Sequence, residues 1–170
     1  MIMPAPFYPG PAKKLKNSKP MDREQFVLAL KKLGEKRYHS LHPFHKLLHF
    51  GKLSHGQIQA WALNRFYYQW SIPRKDLTLM ARIDDIDLRL EWRSRVIDHE
   101  GDIDGSGGIK RYLQLCEKLE LDIEYVKSFK GLLPASRFAV DSYISFVREK
   151  SLLESIASSL TEIYAPAIHK

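Results

Sequence analysis

The sequence predicts an all-α protein, a bundle of helices without a β-sheet, and three observations support this fold class. Two capping signatures, in which Asp or Ser precedes Gln by three residues, stand before segments with apolar residues at helical spacing. No segment shows the apolar–polar alternation of a strand, and no internal repeat occurs. With 170 residues, 44% of them hydrophobic, the chain suits one domain with a substantial core.

The N-terminal segment differs in composition from the rest. The first twenty residues carry five of the nine prolines and no periodicity, which predicts a disordered arm over 1–20 and a helical domain over 21–170. Residues 1–37 hold nine Lys or Arg against three Asp or Glu, whereas charges in the rest nearly balance. The basic excess belongs to the tail, so we expect no nucleic-acid partner for the folded body.

Eight helices are expected, most of them bounded by a capping residue, a glycine or a proline. The third is apolar nearly all round, as expected of a central helix, and Pro73 is expected to kink it. In order, the predicted helices cover 22–34 (begun by Asp22 and Gln25), 43–50 (ended by Gly51), 54–83 (begun by Ser54 and Gln57), 85–101 (from Asp85 to Gly101), 108–119, 122–129, 134–149 and 152–164 (ended by Pro166).

Two features that the sequence lacks, further cysteines and long apolar runs, exclude certain kinds of site and of protein. A single cysteine, Cys116, excludes a disulfide framework and a Cys-rich metal site, and we expect it to be a small buried hydrophobe. No apolar run is long enough for a secretory signal or a membrane span, so we expect a cytoplasmic protein with no membrane partner.

The segment DIDGSGGI, residues 102–109, begins like a calcium-binding loop. Asp102, Asp104 and Ser106 occupy the first, third and fifth positions of that motif. The twelfth position requires a bidentate Glu and holds Leu113 instead. We therefore expect a glycine-rich connection between helices.

Four of the seven histidines lie in RYHSLHPFHKLLH, residues 37–49. His42, His45 and His49 are spaced so that one helical face could carry all three. A di-iron bundle needs Glu-x-x-His motifs, and no Glu in this chain has a His three residues later. We expect no metal site, and predict that these three histidines cap and pack the second helix.

Polar side chains on apolar helix faces indicate a ligand cavity. Arg65, Tyr68 and Gln69 continue the apolar stripe of the third helix, and Arg95 and His99 continue that of the fourth. Because a buried arginine is costly unless it is paired, two of them suggest a cavity for an anion.

An alternative stays open, in which each arginine pairs with an internal acid such as Asp141 or Glu162 and only rigidifies the bundle. Tyr143 lies on an apolar face, where a core tyrosine is expected, and Glu162 lies on a face of small residues that favours close packing of helices.

Seven segments carry a further signal: HPFHKLLHFGKLS, QAWALNRFYYQ, IPRKD, EWRSRVIDHEGD, GGIKRYLQL, LPASRFAVDSY and SLLESIASSLTEIYAP. Together, in consistent order from about Met21 to His169, they resemble the pyrroloquinoline-quinone synthase (PqqC) family. The resemblance implies a haem-oxygenase-like helical bundle that works as a homodimer. It implies an oxidase that uses neither metal nor organic cofactor, takes dioxygen as co-substrate and makes a product that is itself a redox cofactor.

The family carries out the final ring closure and eight-electron oxidation of a quinoline dicarboxylate precursor, giving pyrroloquinoline quinone (PQQ) and hydrogen peroxide. By resemblance, His99 is the acid–base histidine and His169 lies in the oxygen-binding region. Arginine suits a polycarboxylate substrate, because its planar fork binds carboxylates bidentately. The substrate-binding positions implied are Tyr38, His39, Arg65, Tyr68, Gln69, Arg95, Tyr143 and Glu162.

Family members continue beyond the position of Lys170 with helices that supply further pocket residues. The resemblance therefore predicts a bundle that lacks the C-terminal helices and has an open apolar surface. Two functions stay open: a PqqC-type oxidase or the N-terminal part of one, and a catalytically incomplete helical module for binding or dimerisation. A third, a metal-dependent oxygenase on the same bundle, would require iron or zinc to co-purify.

Overall fold

The computed structural model describes residues 20–38, 41–103 and 105–160, and these form helices, turns and loops without a strand. The chain divides into two compact units, Met1–Arg37 and Tyr38–Lys170. The predicted all-α class is therefore confirmed, while the predicted arm over 1–20 lies almost wholly outside the described residues. The helices are α1 (Arg23–Arg37), α2 (Pro43–His49), α3 (His55–Met80), α4 (Ile86–Glu100), α5 (Gly108–Lys118), α6 (Ile123–Ser128), α7 (Pro134–Glu149) and α8 (Leu152–Ala157).

Helix α1, the described helix of the first unit, begins at the predicted capping box. The backbone N–H of Gln25 donates to Asp22 Oδ1 at 2.8 Å, and that of Asp22 donates to Gln25 Oε1 at 3.3 Å. The predicted end near Gly34 is wrong, because α1 continues to Arg37. One glycine costs a helix only about 1 kcal/mol, and the Glu, Lys and Arg that follow are strong helix formers.

In the second unit, α3 is the central helix and packs against α4, α5, α7 and α8. Its capping box is confirmed by bonds of 2.9 and 3.3 Å between Ser54 and Gln57. The helix continues through Pro73 and ends at Met80, three residues before the predicted end. Its buried positions make it the element that places polar side chains inside the bundle.

The ends of α4 and α8 test two further predictions. Asp85 Oδ1 accepts from the backbone N–H of Leu88 at 2.8 Å, and α4 stops at Gly101, whose φ of 89° suits glycine. The predicted end of α8 near 164 is wrong: α8 ends at Ala157. There the Ser159 N–H bonds to the Ile156 carbonyl at 3.0 Å, an i→i+3 contact that tightens the last turn.

Two apolar clusters form the core of the second unit. Ala62 and Phe66 of α3 pack with Cys116 of α5 and Val126 of α6, so the cysteine is the buried hydrophobe that was predicted. Further along α3, Leu79 packs with Ile83 and Val147, and side chains of α4 and α8 surround them. Each half of α3 therefore serves a different cluster.

Several large apolar side chains face outward, while the predicted open apolar surface stays a prediction. Phe50, Phe138 and Leu153 are each about three-quarters exposed. Among the described residues, no helix is both long enough and apolar enough to cross a membrane.

Candidate active site

His99 lies one turn from Arg95 on α4 and is partly buried. Its Nδ1 is 2.8 Å from the backbone carbonyl oxygen of Arg95. A carbonyl oxygen accepts hydrogen bonds only, so Nδ1 carries the proton in this contact. In the neutral ring the lone pair is then on Nε2, which is the nitrogen able to take a proton from a ligand.

Arg95 lies between α4 and α3, with one-fifth of its side chain exposed. Its guanidinium carbon is 5.2 Å from the centre of the Trp92 ring, and its Nη2 is 3.7 Å from Asp76 Oδ2. An ion pair with an internal acid is the arrangement of the alternative interpretation, in which the arginine rigidifies the bundle. Among the described residues, the acid that faces it is Asp76, which was not predicted from the sequence.

Of the two acids considered as internal partners, the structure describes only Asp141. Asp141 is exposed, and its Oδ1 accepts from the Tyr67 hydroxyl at 2.6 Å. That hydrogen bond, with burial as the larger cause, raises the pKa of Tyr67 above its ordinary value. Glu162 lies outside the described residues.

The expected inward position of Arg65 is wrong for the described residues, because its side chain is exposed. Its guanidinium carbon lies 4.5 Å from the centre of the Tyr68 ring, a cation–π contact. The predicted stripe was defined by four residues, of which Ala62 and Ile72 are buried and Ile58 and Trp61 are only half-buried. Ala62 and Phe66 are fully buried nearby. Phe66 directly follows Arg65, so the buried side of α3 lies one residue further round the helix than Arg65.

Tyr68 and Tyr143, two predicted site residues, line one narrow gap between α3 and α7 together with Ser71 and Lys75. The Tyr143 hydroxyl donates to the Ser158 carbonyl at 3.0 Å, as befits the core tyrosine expected on that face. Ser71 is 2% exposed, and its hydroxyl has no hydrogen-bond partner among the described residues. The gap thus brings polar side chains into an interface whose other lining residues are apolar.

Gln69 reaches the junction of α4 and α5. A Cβ built on Gly108 would lie 3.2 Å from Gln69 Nε2 and 3.6 Å from His99 Cα. Gln69 and His99 therefore adjoin the same glycine from α3 and α4.

The most deeply buried charges among the described residues, on Lys75 and Asp76, were not predicted from the sequence. Asp76 is 0% and Lys75 3% exposed, and Lys75 Nζ lies 2.5 Å from Asp76 Oδ1. A sequence signal existed, since Asp76 is four residues after the buried Ile72 and Lys75 is four residues before the buried Leu79. Both charges therefore fall on the buried face of α3.

Other predicted site residues are placed in part or not at all. Tyr38 is partly buried, and its carbonyl accepts from the backbone N–H of Leu41 at 3.1 Å. His39, Glu162 and His169 lie outside the described residues. Their predicted roles stay predictions.

Of the α2 histidines, His42 is the predicted cap, His45 is half-buried, and His49 is exposed rather than packed. His42 caps the helix, with its Nδ1 accepting from the backbone N–H of Phe44 at 3.2 Å, as predicted. The rings of His45 and His49 lie 5.7 Å apart. Burial lowers the pKa of His45, and the neighbouring His49 and Arg65 lower it further. Each of these causes disfavours a positive charge on the His45 ring.

Two observations concern metal binding, one on grouped ligands and one on the glycine-rich loop. Over 20–38, 41–103 and 105–160, no three His, Cys, Asp or Glu side chains are grouped to hold a metal ion. Asp102 Oδ1 accepts from the backbone N–H of Ile103 at 2.9 Å, so it stabilises its own loop. Asp104, the second acid of the calcium-like motif, lies outside the described residues.

Comparison with known proteins extends this picture. Residues 28–170 match the sequence profile of the TENA/THI-4/PQQC family. A pyrroloquinoline-quinone synthase of Bradyrhizobium diazoefficiens is 59% identical over 147 residues, which cover 86% of this chain and 57% of that protein. A synthase of the same name from Rhodopseudomonas palustris is 56% identical over 147 residues, covering 86% of this chain and 58% of that protein.

A third similar protein has a compound name. The bifunctional coenzyme PQQ synthesis protein C/D of Methylorubrum extorquens is 55% identical over 148 residues, covering 87% of this chain and 40% of that protein. The chain thus spans less than two thirds of the length of each of these three relatives.

Proposed function

The chain belongs to the TENA/THI-4/PQQC family, and from this premise we propose that it acts in PQQ biosynthesis as an oxidase of the pyrroloquinoline-quinone synthase type. The proposed reaction is the final ring closure and eight-electron oxidation of the quinoline dicarboxylate precursor, with dioxygen as co-substrate and PQQ and hydrogen peroxide as products. The proposed enzyme needs no metal or organic cofactor and works as a cytoplasmic homodimer. Relatives that are 55–59% identical to this chain, and are named pyrroloquinoline-quinone synthase or coenzyme PQQ synthesis protein C/D, support the proposal.

The observation that carries the proposal is the pairing of His99 with Arg95 on one turn of α4. Oxidation of the precursor requires protons to leave its ring system at each step, and His99 Nε2 is the nitrogen available to take them. Arg95, one-fifth exposed, offers a planar cation for a substrate carboxylate beside that base. The combination suits deprotonation of an anionic, electron-rich substrate.

The test is anaerobic binding followed by admission of dioxygen. The chain is mixed with the precursor without oxygen, binding is measured, and oxygen is then added while PQQ absorbance and peroxide are followed. Formation of both products supports the proposal. Binding without turnover would instead support the catalytically incomplete binding or dimerisation module, and an absence of binding would count against both.

A further inference from the structure

The Asp76 carboxylate lies inside the bundle beside two close donors, Lys75 and Trp92, and it faces the Arg95 guanidinium at a longer distance. It is 0% exposed, and its Oδ1 accepts from Lys75 Nζ at 2.5 Å and from Trp92 Nε1 at 2.8 Å. Its Oδ2 faces Arg95 Nη2 at 3.7 Å. A buried carboxylate is costly unless such partners surround it, so these contacts define where it sits.

Trp92 and Arg95, the two α4 residues in this group, also contact each other. The guanidinium carbon of Arg95 lies 5.2 Å from the centre of the Trp92 ring. Asp76 holds the Trp92 ring by its N–H and attracts the guanidinium by charge. One α3 carboxylate therefore sets both the surface on which Arg95 rests and the direction of its Nη2 edge.

Lys75 connects the same carboxylate to the far side of the bundle. It is 3% exposed, its Nζ donates to Ser159 Oγ at 2.9 Å, and it lies 5.5 Å from the centre of the Tyr143 ring. Lys75 thus supplies a compensating charge for Asp76 and is itself fixed from α7 and the segment after α8. The carboxylate has little freedom to move away from Arg95.

We propose that Asp76, held by Lys75, is a positioning residue for Arg95 and fixes the direction in which its guanidinium meets a substrate carboxylate. This inference rests on the proposed function, because it takes Arg95 as a carboxylate-binding residue. The 3.7 Å ion pair is longer than a hydrogen bond, so Asp76 orients the guanidinium mainly through charge.

The first test needs no ligand. Asp76→Asn removes the charge while its side-chain oxygen remains able to accept from Trp92 Nε1, and we expect the amide-type NMR signal of Arg95 Nε–H to shift and broaden. The matched control is Asp141→Asn, which alters a carboxylate bonded to Tyr67 and should leave the Arg95 signal in place. An unchanged Arg95 signal in folded Asp76→Asn overturns the proposal.

The second test uses PQQ as the probe. Asp76→Asn should weaken PQQ binding about 10-fold, the loss expected when a charge-assisted contact is misdirected. In an Arg95→Ala background the same change should have almost no further effect, because the two residues act as one unit. An equal loss in both backgrounds would show that Asp76 acts by another route and would overturn the proposal.

The outcomes separate this proposal from the proposed function. If the unmodified chain does not bind PQQ but the Arg95 signal moves in Asp76→Asn, the proposed function fails and the positioning role stands. If Asp76→Asn does not fold, Trp92→Phe keeps an aromatic surface and removes the N–H donated to Asp76. The Arg95 signal should then shift in Trp92→Phe, and an unchanged signal there overturns the proposal.

Discussion

At the scale of single residues, the hydrogen bond from His99 Nδ1 to the Arg95 carbonyl decides which ring nitrogen serves as a base. We predict that His99→Ala lowers turnover of the precursor about 10²- to 10⁴-fold, the usual worth of a positioned acid–base group. Binding of PQQ should change far less, since Arg95 remains. Single-turnover absorbance and equilibrium binding measure the two effects.

His55→Ala is the control for this substitution. His55 is exposed and pairs with Glu120 at 3.3 Å at the far end of α3, so its loss should leave turnover unchanged. If His99→Ala turned over as fast as His55→Ala, the base would have to be another group.

Buried ionisable groups predict how stability responds to alkaline pH. Burial raises the pKa of the Cys116 thiol above its ordinary 9.0, and burial is also the main cause that raises the pKa of Tyr112. Unfolding exposes both groups, which then ionise at a lower pH than they do in the folded chain. Alkaline pH therefore favours the unfolded state, and stability is lost as pH rises above their ordinary pKa values. Above pH about 9 the free energy of unfolding should fall by up to ~1.4 kcal/mol per pH unit for each group.

Urea unfolding at a series of alkaline pH values tests this expectation. Cys116→Ala should remove the earliest part of the decline, between the ordinary pKa values of a thiol and a tyrosine. The prediction is contradicted if the variant and the unmodified chain lose stability in parallel over that interval.

Helical spacing predicted which side chains lie on one face only where the buried face of the helix was unambiguous. Arg95 and His99 follow Trp92 on a helix with one buried face, and spacing alone placed them together. Helix α3 is buried on several sides, so spacing wrongly predicted an inward position for Arg65 and did not predict the burial of Asp76. Spacing does not reveal which of several apolar stripes is deepest when partner helices cover more than one.

At the scale of elements, helix starts were predictable and helix ends less so. The starts at Ser54 and Asp85 depend on side-chain hydrogen bonds that a short motif encodes. The ends of α1 and α8 depend on small differences in propensity and on packing that a local motif does not specify. The fold class needed only the starts and the apolar period, so it was predictable from the sequence.

The connection between α4 and α5 makes a sharp prediction about one glycine. A Cβ on Gly107 would lie 2.2 Å from Gly101 N and 2.4 Å from the His99 carbonyl oxygen. These are backbone atoms that have little room to move, so Gly107→Ala should cost at least ~2 kcal/mol of unfolding free energy. The variant should also displace His99 and lower turnover.

Gly56→Ala is the matched control for that substitution. A Cβ on Gly56, in the first turn of α3, would meet no atom within 4 Å. The better helix propensity of alanine should therefore stabilise the chain by up to ~1 kcal/mol. Urea titrations of both variants measure the contrast, and equal stabilities would contradict the role given to Gly107.

At the scale of the whole molecule, α3 joins two apolar clusters that share no other helix among their fully buried members. Phe66 belongs to the cluster with α5 and α6, and Leu79 to the cluster with α7. Because one continuous helix supplies both, loss of either cluster should remove support from the other. The proposed site lies beside the second cluster, where Trp92 and Tyr143 pack.

This arrangement predicts that the unit Tyr38–Lys170 unfolds in one transition. Phe66→Ala should lower the free energy of unfolding by about 3–5 kcal/mol, the usual cost of emptying a buried aromatic site. Although Trp92 lies in the other cluster, its fluorescence should change at the same reduced urea concentration as the helical circular dichroism.

Replacing Trp61 and Trp70 by Phe leaves Trp92 as the reporter, and this background serves as the reference for Phe66→Ala. Leu153→Ala, at a side chain that is 77% exposed, is the control and should shift the midpoint by less than ~0.5 kcal/mol in free energy. If Trp92 kept its original midpoint while helicity declined early, the two clusters would unfold independently. In that case α3 would not couple the core around Phe66 to the site around Arg95 and His99, and substitutions at Phe66 would leave PQQ binding intact.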